Sequence, residues 1–188
     1  FTVYFNLFQL GGLKSKEKVL IHGGSGGIGS TAIQMAKLAG AELVLATAGS
    51  DEKCDFCQEL GADYAINYNK ESFFEKIKNS SVGKIDIVLD MLGGNYFEKN
   101  ISLLANGGRH LSIAYLAGKD VKLDLAKLMT RQILVTGSTL RPQSSFVKSS
   151  VAEGVKNFLW PFLNQEKFKV HIDREFKLSE VADAHDYM

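Results

Sequence analysis

Short apolar runs recur along the chain, and the segments between them carry apolar residues at helical spacing. Val19-Leu20-Ile21, Glu42 to Thr47, Tyr64-Ala65-Ile66, Ile85 to Leu89, Arg109 to Ala114 and the β-branched run Ile133 to Ser138 read as six strands. Between them, a helix is predicted from about Gly27 to Leu38, with Ile28, Ala32, Met35 (or Ala36) and Ala39 on one face and Gly40 closing it. Ser50 is a good N-cap for a helix running to Leu60 and ended by Gly61. Further helices are predicted over Lys70–Lys78, with Phe73, Phe74 and Ile77 inward, and over Asn95–Leu104, ending at the Asn106-Gly107-Gly108 turn. Asp124–Met129 and Phe146–Leu163, the latter with Pro161 near its end, complete the set. Residues 1–10 read as a helix that Gly11-Gly12 terminates, Phe168–Ile172 as an extended segment, and Ser179–Met188 as a last helix. Strands alternating with helices at this spacing imply an α/β fold: one parallel sheet with helices on both faces and a ligand crevice at the C-terminal strand ends.

The stretch VLIHGGSGGIGSTAIQMAKLA, Val19 to Ala39, holds the strongest chemical signal. Gly24-x-Gly26-x-x-Gly29 fits the G-x-G-x-x-G fingerprint, and Gly23-x-x-x-Gly27-x-Gly29 fits the short-chain dehydrogenase spacing. Glycines here let bare backbone amides approach a pyrophosphate, and the helix that follows aims its electropositive N-terminus at the same anion. A strand before and a helix after make this a dinucleotide-binding unit of the doubly wound Rossmann type, with a six-stranded parallel sheet. A glycine-rich turn in an ordinary α/β protein is the bland alternative.

Composition narrows the classes. The 188 residues are 45% apolar and 23% charged with net charge +1, as expected of one globular domain. Lys and Glu are interspersed, which leaves no electrostatic footprint for nucleic acid or a membrane surface. No apolar run reaches 18 residues and no signal peptide is visible, so a cytoplasmic setting is expected. Cys54 and Cys57 are the only cysteines. Their C-x-x-C spacing falls on a helix with no second ligand pair, which favours core packing over redox or metal chemistry. His22, His110, His171 and His185 form no metal pattern, and His22 is expected to hydrogen-bond the glycine loop. No metal is expected.

The second strand ends Ala46-Thr47-Ala48-Gly49-Ser50, without the acid that usually receives the ribose hydroxyls of an unphosphorylated cofactor. Ser50, Lys53 and, after the third strand, Tyr68 suit a phosphate dianion, favouring NADPH over NADH. Asp51 and Glu52 as plain first-turn acids are the counter-reading. Met91-Leu92-Gly93-Gly94 offers an apolar lid and a close backbone approach, and a plain loop is its alternative. The Ala114 and Leu140-Arg141 regions lie where the nicotinamide end should fall. Tyr115-x-x-x-Lys119 imitates the catalytic pair of short-chain dehydrogenases, but Gly118 places it in a loop-like stretch.

FNLFQLGGL, VLIHGGSGGIGSTAIQMAK, ATAGSDEKC, LGADYAINY, DIVLDMLGGNYFEKN, LVTGSTLRP and EVADAHDYM together resemble the NAD(P)H quinone oxidoreductases, zinc-independent members of the medium-chain dehydrogenase/reductase superfamily. The resemblance runs along nearly the whole chain. It implies a pyrophosphate cradle of Gly24, Ser25, Gly26, Gly27, Ile28 and Gly29, and a 2′-phosphate site of Ser50, Lys53 and Tyr68. It further implies ribose and nicotinamide contacts at Met91 and in the Ala114 and Leu140 regions, and hydride transfer from NADPH to a quinone or enone; Arg141 beside Leu140 reads either as a phosphate partner or as a cap on the sheet edge. A cofactor domain over residues 1–170 is implied, with 171–188 returning toward an N-terminal catalytic domain absent from this chain, so the chain is expected to bind cofactor without turning over substrate. The family also implies a homodimer through the 133–138 edge. A non-catalytic dinucleotide-binding module and a short-chain dehydrogenase using Tyr115 and Lys119 are the competing expectations.

Overall fold

A computed structural model describes residues 1–165 and 167–188. Six parallel strands form one sheet: β1 (Lys18–Ile21), β2 (Leu43–Ala48), β3 (Tyr64–Asn67), β4 (Ile85–Asp90), β5 (Leu104–Ser112) and β6 (Leu134–Gly137). Their spatial order is β3-β2-β1-β4-β5-β6. The order reverses between β1 and β4, and a crevice opens at the C-terminal ends of those two strands.

The central strands β1, β2 and β4 are buried on both sides, which is why their sequences are near-continuous apolar runs rather than alternations. Val19, Ile21, Val44, Ala46, Ala48, Ile87 and Leu89 join one core with α1 (Gly27–Leu38), α2 (Asp51–Glu59), α6 (Ser145–Asn164) and the N-terminal helical segment Tyr4–Leu10. Leu20, Leu45 and Val88, one residue out of phase, join the other core with α3 (Phe73–Lys78) and α4 (Asn95–Leu103). The doubly wound arrangement is therefore built from alternate residues of the same strands. Two short helices, α5 (Leu125–Thr130) and α7 (Val181–Tyr187), bury no residue fully.

Helix ends follow the capping chemistry in the sequence. The hydroxyls of Ser50, Ser72 and Ser144 and the carboxylate of Asp124 each accept the amide three residues on. Left-handed Gly40 and Gly61 close α1 and α2. The N-terminal segment is wound as a π-helix, its buried Asn6 donating to the Thr2 carbonyl and accepting from the Ser138 hydroxyl.

Three expectations are corrected. The helix predicted from Lys70 starts at Phe73, because the Lys70 and Glu71 amides turn back onto the Asn67 carbonyl before Ser72 can cap. Asn106-Gly107-Gly108 does not separate helix from strand. β5 begins at Leu104, opposite Ile85, and these glycines lie in a register irregularity before Arg109 pairs with Ile87. Phe168–Ile172 forms no strand: both sheet edges lie elsewhere, and the segment crosses α1, where Gln34 exchanges two hydrogen bonds with the Lys169 backbone.

Gly29 is where the packing tolerates no side chain. A Cβ there would overlap the Gly23 carbonyl and the Gly24 Cα, both backbone, whereas a Cβ on Gly27 would meet nothing within 4 Å. Gly29→Ala should therefore cost about 3 kcal/mol or more, and Gly27→Ala at most a few tenths, roughly, in denaturant unfolding. Equal costs would contradict this packing.

Candidate functional site

β1 delivers the chain into a left-handed residue, Gly23 (φ +63°), whose open side is covered by the Met91 thioether. The loop is then held by β2: the Gly24 amide donates to the Thr47 carbonyl at 2.9 Å and the Gly23 amide to the Thr47 hydroxyl at 3.4 Å. Gly26 sits at the N-cap of α1 and supplies no side-chain cap, and the first turn carries no acid. The leading amides of α1 are thus presented, with the positive end of the helix dipole, toward the crevice. This bare-amide cradle fits a diphosphate. The first turn of α1 itself brings no acidic side chain to it, and the space above Gly27 is open.

A cleft of about 510 Å³ lies beside the cradle, lined by Ser25, Gly27, Ser30, Glu52, Lys53, Phe56, His171 and Asp173. The structure thus brings Ser25, Gly27 and Lys53 into one cleft. Ser50 is next to them, but its hydroxyl is engaged as the α2 cap, accepting the Lys53 amide at 3.2 Å. Asp51 faces away. Its carboxylate is held by Lys70 and by the Asn67 amide at 2.7 Å, and these partners, Lys70 first, keep its pKa below the ordinary value. Tyr68 packs its hydroxyl end against Gly49 but opens onto a neighbouring crevice with Asn69, Lys70, Tyr96 and Lys99.

The remaining predicted contacts line other cavities. Ala114 and Tyr115 border a cleft of about 430 Å³ with Gly93, Ser112, Lys119 and Thr136. Leu140 and Arg141 border a third, of about 320 Å³, with Phe1, Lys148 and Val151. Tyr115 and Lys119 lie in a loop, so the long helix that would align them on a nicotinamide does not exist. Gly118, left-handed between them, instead pairs its backbone with Gly93. Cys54 and Cys57 are buried core residues, and burial pushes the Cys57 thiol up to about 12. Among the described residues no three His, Cys, Asp or Glu side chains converge as a metal site.

Beneath the crevice lies a buried polar cluster that the linear sequence conceals. His22, Thr47, Asp90, Asn100 and His110 are each wholly inaccessible to solvent. The Asp90 carboxylate receives the His110 ring at 3.0 Å and the Asn100 amide at 3.2 Å on one oxygen, and the Leu92 and Gly93 amides at 2.7 and 3.2 Å on the other. His22 bonds Thr47 at 3.0 Å and Asn100 at 2.9 Å, so it reaches the glycine loop only through Thr47, not directly as expected. Phe73, Tyr96 and Phe97 set ring edges or faces against the two imidazoles. The sequence signal was positional: His22, Thr47, Asp90 and His110 stand at or near the C-terminal ends of four apolar strands.

Residues 27–154 match the family model described as zinc-binding dehydrogenase. The chain belongs to that family, within the medium-chain dehydrogenases/reductases. The chain is 30% identical over 190 residues to human quinone oxidoreductase, covering 99% of the chain and 55% of that protein. Bovine prostaglandin reductase-3 is 33% identical over 145 residues, 72% of this chain and 38% of the relative. Among solved structures, the quinone oxidoreductase from Thermus thermophilus, determined alone and in complex with NADPH, superposes with a TM-score of 0.82 at 29% identity over 99% of this chain and 58% of that one. The chain thus spans about half the length of its quinone oxidoreductase relatives, and less of the prostaglandin reductase. Among the described residues no helix is long and apolar enough to cross a membrane.

The buried cluster makes the fold acid-sensitive in two stages. Burial lowers the His22 pKa from 6.5, so the unfolded chain takes up its proton first and stability falls as pH drops below about 6.5. Burial alone would raise Asp90, but hydrogen bonds from His110 and Leu92 and the neighbouring imidazoles hold it at about 2, against 3.8 when free. Its contribution, about 2 kcal/mol, is present above pH 4 and is lost as pH falls toward 2. Unfolding free energies measured across this range should show both limbs, and Asp90→Asn should flatten the lower one. An unchanged lower limb in that variant would contradict the assignment.

Proposed function

We propose that this chain is the cofactor-binding part of an NADPH-dependent oxidoreductase that reduces a quinone or an enone. The observation that carries the reading is the uncapped, acid-free start of α1 facing a cleft in which Lys53 is the lysine beside the β2 tip. The bound cofactor would supply the hydride. In this reading, amides of Ser25 to Gly29 bind the diphosphate, and Lys53 with the Ser50 backbone turn receives the 2′-phosphate. Tyr68 and the loop Met91–Gly94 bound the adenosine and ribose, and the Ala114 and Leu140-Arg141 regions bound the nicotinamide end. The quinone oxidoreductase and prostaglandin reductase relatives support a reductase acting on a small molecule. Those relatives extend well beyond the matched half, and there we place the walls that complete the substrate pocket. Turnover by the isolated chain is accordingly not expected.

Titration of the chain with NADPH and NADH, followed by calorimetry, tests this. NADPH should bind more tightly, and Lys53→Ala should lower its affinity about tenfold while leaving NADH unchanged. Equal affinities in the parent would remove the NADPH assignment. Binding of neither would leave a dinucleotide-like fold without that function.

We also propose a homodimer across the β6 edge. β6 pairs only with β5, and Leu134, Leu125, Met129, Tyr115 and Leu116 expose apolar surface in and around that edge. Sedimentation should show a dimer at micromolar concentration and a monomer for Leu134→Lys. A parent that sediments as a monomer would defeat the proposal.

A further inference from the structure

Resting on the cofactor reading above, we infer that Asp90 is a positioning residue that ties the glycine loop to the loop after β4, through a directed hydrogen-bond relay of Asn100, His22 and Thr47. The direction of each bond follows from donor and acceptor chemistry. An ionised Asp90 only accepts, so Asn100 must point its amide nitrogen at Asp90 and its carbonyl at His22. His22 Nε2 therefore carries the proton, and its Nδ1 accepts from the Thr47 hydroxyl. With its proton committed, the Thr47 oxygen can only accept at the remaining contact, from the Gly23 amide. At the other end, Asp90 Oδ1 accepts the Leu92 and Gly93 amides.

One chain of bonds thus begins at an amide of the glycine loop and ends at two amides of the loop carrying Met91, whose thioether in turn covers Gly23. The four relay side chains, Asp90, Asn100, His22 and Thr47, are wholly buried, so water cannot substitute for a lost bond between them. Reversing a single bond would leave two buried donors facing each other or two acceptors facing each other. The two loops that flank the crevice at the β1/β4 reversal are therefore set relative to one another. A ligand that spans both, as a whole dinucleotide would, depends on that setting. A ligand confined to the Lys53 cleft does not.

The relay is tested in the ¹⁵N-labelled chain with two variants at opposite ends. Thr47→Val should shift the Leu92 and Gly93 amide resonances, and Asp90→Asn should shift that of Gly23 and of the His22 ring nitrogens. Either variant should weaken NADPH about tenfold while leaving inorganic phosphate, which is small enough to sit in the Lys53 cleft alone, unchanged. If each variant perturbs only its own loop, or if NADPH and inorganic phosphate weaken equally, the coupling is overturned. Should Asp90→Asn fail to fold, Thr47→Val decides alone. Should the parent bind no dinucleotide, the cofactor reading falls, and the resonance shifts still decide whether the loops are coupled.

Discussion

The close approach of Gly29 to the Gly23 carbonyl is the contact on which the rest of the molecule depends. It lets α1 begin almost on top of the strand that feeds it, which a side chain at either the turn or the helix start would prevent. Because the helix starts there, its free amides face the sheet's C-terminal edge rather than solvent at large. Because it packs so tightly, Ala32, Ile33 and Met35 reach Val19, Ile21 and Val44 in one core. The anion-facing turn and the hydrophobic core are consequences of one steric condition.

Electrostatics complements that condition from below. The loop presents amides with no side chains, and the structure beneath it places one buried carboxylate, Asp90, with four donors. A buried charge is tolerable only when its lone pairs are filled, and here the loop after β4 fills one oxygen through the Leu92 and Gly93 amides while Asn100 and His110 fill the other. On the surface the acids at the start of α2 divide. Asp51 is drawn off by Lys70 and Asn67, while Glu52 remains at the cleft wall opposite Lys53. Lys53 thus shares its cleft with the carboxylates of Glu52 and Asp173, but not with that of Asp51.

The family and the neighbouring structures fit this picture at the level of architecture and cofactor chemistry. The candidate site is less continuous than its residue pattern implies. The cradle and Lys53 share a cleft, whereas Tyr68, Ala114, and Leu140 with Arg141 open onto three others. A long dinucleotide touches successive strand ends, so residues that serve one ligand need not line one cavity.

The linear pattern determined the strands, the helices and their caps, because period, capping hydroxyls and glycine breaks act over a few residues. It therefore specified the six βα units, the start of α1 at Gly27 and the Ser50 cap almost to the residue. It misjudged Phe168–Ile172, whose backbone partner is Gln34, far away in the chain, and the start of β5, where pairing with Ile85 outweighs the turn propensity of Asn106-Gly107-Gly108. Only the tertiary structure could assemble His22, Thr47, Asp90, Asn100 and His110. They stand on three strands, a helix and the turn just past β1, and the order β2-β1-β4-β5, a long-range property of the sheet, makes them neighbours.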